Sequence, residues 1–150
     1  MQATYRWLAG TLCTAMLLLA GCAASARAPE AAPKEEPSRL VPIEGTELNR
    51  VILTEQAAHR IDVQTAAVSR HEVEGKEELV IPYAAVIYDT EGEAWAYTNP
   101  EPLTFVRHQL DIEAIEGDEA VLSVGPEEGT LVVIVGATEL YGAEFEFQEG

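Results

Sequence analysis

The side chains able to do chemistry in this sequence are few. There are two cysteines, Cys13 and Cys22, and three histidines, His59, His71 and His108. Glutamates fall in close pairs: Glu77 with Glu78, Glu127 with Glu128, Glu144 with Glu146. An imidazole beside a carboxylate can act as a base with its orienting acid, so His108 with a carboxylate is where a weak hydrolase would be built. Three histidines meeting an acid would suit zinc, and gathered glutamates would suit calcium or acid–base work. The spacings that mark such sites are missing. No glycine-rich phosphate loop, no serine elbow and no metal-spaced Cys or His pair occurs. Adjacent glutamates on a strand point to opposite faces, and turn glutamates are usually just solvated. The chain therefore reads as non-enzymatic, with no cofactor and no metal site.

Cys22 is different, because of where it stands. It ends the apolar run in "MLLLAGCAAS", Met16 to Ser25, and small residues follow at once. Residues 1–21 fit a secretory signal peptide, with Arg6 in a short n-region and an apolar stretch from about Trp7 to Ala20. That stretch is short for a bilayer span and has no flanking basic cluster, which favours a cleaved signal over a permanent helix. Leu19-Ala20-Gly21-Cys22 resembles the lipobox of bacterial lipoproteins. The resemblance implies cleavage before Cys22 and acylation of its thiol, the side chain that readily takes a thioether-linked diacylglycerol. Two or more acyl chains, palmitate among them, make a stable anchor where one is marginal. Cys13 would leave with the signal, so no disulfide is expected.

Composition sets the rest of the frame. The 150 residues carry 26 acidic and 9 basic side chains, a formal charge of −17. Such a chain repels nucleic acid and anionic headgroups unless it hides a basic patch. Lys34, Arg39, Arg50, Arg60, Arg70, Lys76 and Arg107 stand singly among carboxylates, so none is visible. Residues 22–39, with "AASARAPEAAPKEEPSR", have almost no large apolar residue and read as a semi-extended tether. At roughly 3 Å per residue it spans a few tens of ångström and lifts a domain off the membrane. Residues 40–150 are left to build one small core.

The elements expected there are mostly strands. "LTEQAAHRI", Leu53 to Ile61, reads as a short helix with Thr54 as N-cap and Glu55 in its first turn. "DVQTAAVSR" reads as a strand, "RHEVEGKEE" as a polar break, and "LVIP" as a second strand. Ala84 to Asp89 and Ala94 to Thr98 flank "TEGE" as a hairpin, and "NPEP" is a turn. In "LTFVRHQLDIEAI" the alternation puts Val106, His108, Leu110 and Ile112 on a buried face, with Arg107, Gln109, Asp111 and Glu113 on a wet one. "EAVLSV" and "LVVIVG" are further strands, the last buried on both faces. Trp95 and Tyr97, two apart, share one side, with Tyr83 and Tyr88 near them; such a cluster is a core corner or an exposed recognition patch, and core is favoured. The fold class is mainly β: a small β-roll or barrel-like domain with one short α-helix.

These segments carry a family resemblance. "VILTEQAAHRIDVQTAAV" resembles the segment that opens the folded part of periplasmic adaptor subunits, the membrane fusion proteins of resistance-nodulation-division efflux pumps. "IPYAAVIYDTEGEAWAYT" is similar to the adaptor pattern of Pro, Ala-Val, a D-x-x-G turn and an aromatic strand. "FVRHQLDIEAIEGDEAVLSVGPEEGTLVVIVGATEL" is similar to its continuation, ending in a helix-like segment. In the family, these two segments from opposite ends of the chain come together as the membrane-proximal domain, a β-roll with a helix. Full adaptors carry a lipoyl-like domain, a helical hairpin and a β-barrel between them; here only "SRHEVEGKEEL" fills that place. Nothing would then reach an outer-membrane channel. Met1 and Met16 both leave with the signal, so methionine-based copper or silver transfer is not implied.

The resemblance implies an extracytoplasmic module, lipid-anchored to a bacterial membrane and facing the periplasm if the host has two membranes. Its partners would be the bilayer through acylated Cys22, and a resistance-nodulation-division transporter or a full-length adaptor. The alternative is a stand-alone lipoprotein that binds a small ligand or a cation with its acidic surface.

Overall fold

The computed structural model describes residues 36–146. Cys22 and the preceding Leu19, Ala20 and Gly21 lie outside the described residues, as do the signal and most of the tether. The first strand, β1 (Ser38–Pro42), pairs with β2 (Asn49–Leu53) in an antiparallel hairpin.

The predicted helix is α1 (Glu55–Arg60). Thr54 caps it in extended geometry, its hydroxyl accepting from the Ala57 N–H at 3.2 Å, and Glu55 sits in the first turn, where the helix dipole favours a carboxylate. Ala57 is the residue it buries, and the chain leaves through Asp62 at φ +50° into β3 (Gln64–Ala67).

The stretch expected as a polar break is a hairpin instead. β4 (Ser69–Val73) and β5 (Lys76–Pro82) pair antiparallel in unbroken register, from Ser69↔Val80 to Val73↔Lys76. Both turn residues, Glu74 at φ +50° and Gly75 at φ +81°, adopt the left-handed region that a tight two-residue hairpin turn requires. Charged residues crowd its outer half, so the apolar alternation that marks a strand is lacking there.

A single 3-10 turn at Tyr83–Ala85 buries Ala85 and replaces the first half of the predicted hairpin arm. Strand pairing is left to β6 (Ile87–Tyr88) and β7 (Ala94–Glu101). "NPEP" is not the turn either. β7 continues to Glu101 across a register shift, and the turn falls at Pro102 and Leu103, where Leu103 takes φ +59°. Asn99 makes this possible by donating from Nδ2 to the carbonyls of Glu101 and Thr104. Then come β8 (Thr104–Glu116), β9 (Glu119–Val124), β10 (Leu131–Val135) and α2 (Ala137–Glu146). In β10 only Val132 and Val133 are fully buried, while Leu131 and Val135 are exposed, so the expectation of burial along the whole strand is corrected.

The strands form one curled antiparallel half-barrel in the order β3-β10-β7-β8-β9-β5-β4, with β2 added beside β8 and β6 beside β7. Fold class is thus mainly β, as expected, with a second helix after the last strand. β8 is the pivot. Its first half pairs with β2 and β7, and after register shifts between Asp111 and Ala114 its second half pairs with β9.

Two cores form, on opposite faces of the central strands, because successive residues of a strand point opposite ways. One gathers Val51, Leu53, Tyr97, Phe105, Val133 and Leu140 under the two helices. The other gathers Val68, Ile81, Ala96, Leu110, Leu122 and Val132 inside the curl. Thus Tyr97 and Val133 face one core while their neighbours Ala96 and Val132 face the other. Such burial on both sides removes the wet face expected of β8 only at Arg107; Gln109, Asp111 and Glu113 are exposed as expected. Phe105 and Arg107 are buried toward the helices, Leu110 is buried toward the curl, and His108 is exposed.

Candidate functional site

Three elements converge on one buried ionic centre. β7 sets Trp95 and Tyr97 on one face, β8 places Arg107 directly opposite Tyr97, and α2 brings Glu144 down one turn after Leu140. Glu144 is wholly buried and Arg107 nearly so. The Tyr97 hydroxyl donates to Glu144 Oε2 at 2.6 Å, and Arg107 Nε lies 2.9 Å from the same oxygen. The guanidinium lies 4.5 Å from the Trp95 ring centre and 4.9 Å from that of Phe145, a cation–π sandwich that covers the charge. Glu144 Oε1 is buried without a hydrogen-bond partner among the described residues. The centre ties the end of α2 to the sheet.

Burial first, and the hydrogen bond to Glu144 second, push the Tyr97 phenol above its ordinary range. The folded state therefore keeps this proton when the unfolded phenol, ionising near about pH 10, has lost it. Tyr97's contribution to stability is complete below about pH 10 and falls above it by about 1.4 kcal/mol per pH unit. In urea titrations at about pH 9 and pH 11, Tyr97→Phe should have a smaller alkaline loss than the parent chain.

A cavity of about 350 Å³ opens between α1, the start of β3 and the β7–β8 turn. His59, Asp62, Thr65 and Asn99 give it polar edges, and Leu103 and Phe105 an apolar floor. Two of these residues, Asp62 and Leu103, hold left-handed backbone, which for leucine is uncommon and strained. The cavity is an open groove with mixed polar and apolar lining.

The remaining candidates disperse. His71 Nδ1 is 3.3 Å from Glu119 Oε2, with Ser69 Oγ 3.4 Å from its Nε2. Glu128 pairs with Arg70 at 3.4 Å. His108, expected on a buried face as a possible base, is exposed instead. Among the described residues, no three His, Cys, Asp or Glu side chains gather closely enough to hold a metal ion, and no helix is long and apolar enough to cross a membrane. Of the expected aromatic corner, Tyr97 is core and Trp95 half-buried, whereas Tyr83 and Tyr88 are exposed. The neighbouring Tyr83 hydroxyl raises the Tyr88 phenol above its ordinary range.

The "DTEGE" turn is more than a glycine turn. Asp89 Oδ1 accepts from the N–H groups of Glu91 and Glu93, both at 2.9 Å, and Oδ2 accepts from Trp95 Nε1 at 2.9 Å. Desolvation raises the Asp89 carboxyl, but these hydrogen bonds outweigh it and hold the group below the usual carboxylate range. A carboxylate so lowered stabilises the fold above its unfolded value near about 3.9, and that contribution is lost as pH falls through the folded one. Asp89→Ala should therefore lower the melting temperature at neutral pH, with the gap to the parent chain closing below about pH 4.

No protein-family profile matches this chain, and no curated protein does either. Among solved structures it is similar to the NMR structure of a 180-residue piece of SilB from Cupriavidus metallidurans CH34, which encompasses the N-terminal metal-binding site and the membrane-proximal domain. The likeness covers 71% of this chain and 68% of that one, at 20% identity and a TM-score of 0.41.

Proposed function

We propose that this chain is a non-enzymatic, lipid-anchored module of the adaptor membrane-proximal kind. It binds a resistance-nodulation-division transporter or a full-length adaptor at the extracytoplasmic face of the membrane. One observation carries the reading. The β2–α1–β3 segment and the β7–α2 segment, distant in sequence, interleave in one sheet, with Val51↔Phe105 and Thr65↔Val133 as partners. Only the β4–β5 hairpin and its exit to β7 lie between them. That is the arrangement the sequence motifs imply for the family, with the adaptor's intervening domains cut down to a hairpin. The acylated Cys22 and its tether hold an acidic domain near a bilayer whose anionic headgroups would repel it, which leaves a protein as the natural partner.

Cross-linking in cells, detergent extraction and identification of what co-purifies test this, with Cys22→Ala as the unanchored control. A transporter or adaptor recovered from the parent chain, and weakened in the control, supports the reading; a preparation without such a partner sinks it. The cavity beside α1 favours a second reading, a small-ligand lipoprotein. Thermal shifts with ligand and cation panels, abolished by His59→Ala, would support it.

A further inference from the structure

The half-barrel does not close, and its edges differ in how well they are guarded. Among the described residues, β1 ends at Pro42, β6 has two residues, and β3 has four and pairs with β10 across a register shift. β4 is guarded by none of these devices. It ends the sheet, lies in unbroken register with β5, and contains neither proline nor bulge. Its one guard is charge: Arg70, His71 and Glu72 are all exposed along it. An edge of this kind presents unpaired backbone N–H and C=O groups, while its charges reject any strand whose own charges do not match them.

The order of charges along β4 says which strand fits. Its sequence is Ser69-Arg70-His71-Glu72-Val73. If a second copy of the strand runs antiparallel about His71, each Arg70 stands opposite the other copy's Glu72, and each Ser69 opposite the other copy's Val73. Opposite charges directly across an antiparallel pair attract. Sliding the pairing by two residues sets Arg70 against Arg70 or Glu72 against Glu72, and a parallel in-register pairing does both, so like charges reject those alternatives. His71 does not obstruct the axis. Its ring is drawn toward Glu119 on β9, which lies beyond β5 and so on the side away from the open edge. Arg70 is 43% exposed at its side chain and, among the described residues, tied only to Glu128, itself 59% exposed, a surface pair of small worth.

We propose that β4 is a self-pairing edge, through which two copies of this chain join antiparallel about His71 into one continuous sheet. The surface is isologous, the same strand on both sides of a two-fold axis, and therefore closes at a dimer rather than propagating. The contact is short, so it acts where copies are concentrated, as on a membrane surface.

The test uses the full chain expressed in cells. Residues opposite each other across such a pair have Cα atoms roughly 4.5–5.5 Å apart, within reach of a disulfide. His71→Cys should therefore cross-link on mild oxidation of the membranes. The parent chain and Glu55→Cys, on exposed α1, give the background. Adding Arg70→Glu, or Glu72→Arg, should cut the cross-linked fraction severalfold, and the two swaps together should restore it, because the opposed charges are then exchanged. Restoration also shows that the swapped strand folds. Cross-linking of His71→Cys at the background level, or cross-linking indifferent to the single swaps or not restored by the double one, overturns the proposal.

Discussion

Arg107→Met should destabilise the domain by about 3–5 kcal/mol, the cost of leaving a buried charge without its partner. Glu144 is wholly buried, and Oε2 has two protein partners, Arg107 and the Tyr97 hydroxyl. Methionine fills much of the space between Trp95 and Phe145 but neutralises nothing. Combining Arg107→Met with Glu144→Leu should recover most of the loss, since a well-packed apolar pair in place of a buried ion pair is often neutral or stabilising. Urea unfolding followed by circular dichroism separates the two cases. If the double variant is as unstable as the single one, the centre's value lies in packing around the guanidinium and not in charge.

That centre was not legible in the sequence, and the reasons are physical. Arg107 stands among alternating residues of β8 whose polarity suggests a wet face, and Glu144 lies 37 positions away on another element. Alternation assigns faces correctly only where one face meets water. The first half of β8 has the helices on one side and the curl on the other, so Phe105 and Leu110 are both buried although they differ in parity. A basic residue two places after Phe105, on the strand that follows Trp95 and Tyr97, was the available signal, and it needed the β7–β8 register to become meaningful. Where the cause was local, reading succeeded. Thr54 before Glu55 marks the start of α1 because a cap acts within one turn. The β4–β5 hairpin failed for the opposite reason: an exposed two-stranded ribbon needs no apolar stripe, and only Glu74-Gly75 carried its geometry.

The second large effect belongs to Leu140, the wholly buried leucine one turn before Glu144 on α2. Leu140→Ala removes it from the core that holds Val51, Phe105 and Val133, and should cost about 2–5 kcal/mol. Ile81→Ala, equally buried but in the core inside the curl, should cost a similar amount. Their combinations discriminate more than the single values do. Leu140 and Ile81 share no core, so their losses should add within about 0.5 kcal/mol. Leu140 and Arg107 act on the same helix, one through its apolar stripe and the other through Glu144. Once α2 has been loosened by either change, the other has less left to lose. Leu140→Ala with Arg107→Met should therefore cost less than the sum, by about 0.5–3 kcal/mol. Strict additivity of that pair would mean that the apolar contact and the ionic centre hold α2 independently, and that the end of the helix can detach while Leu140 stays in the core.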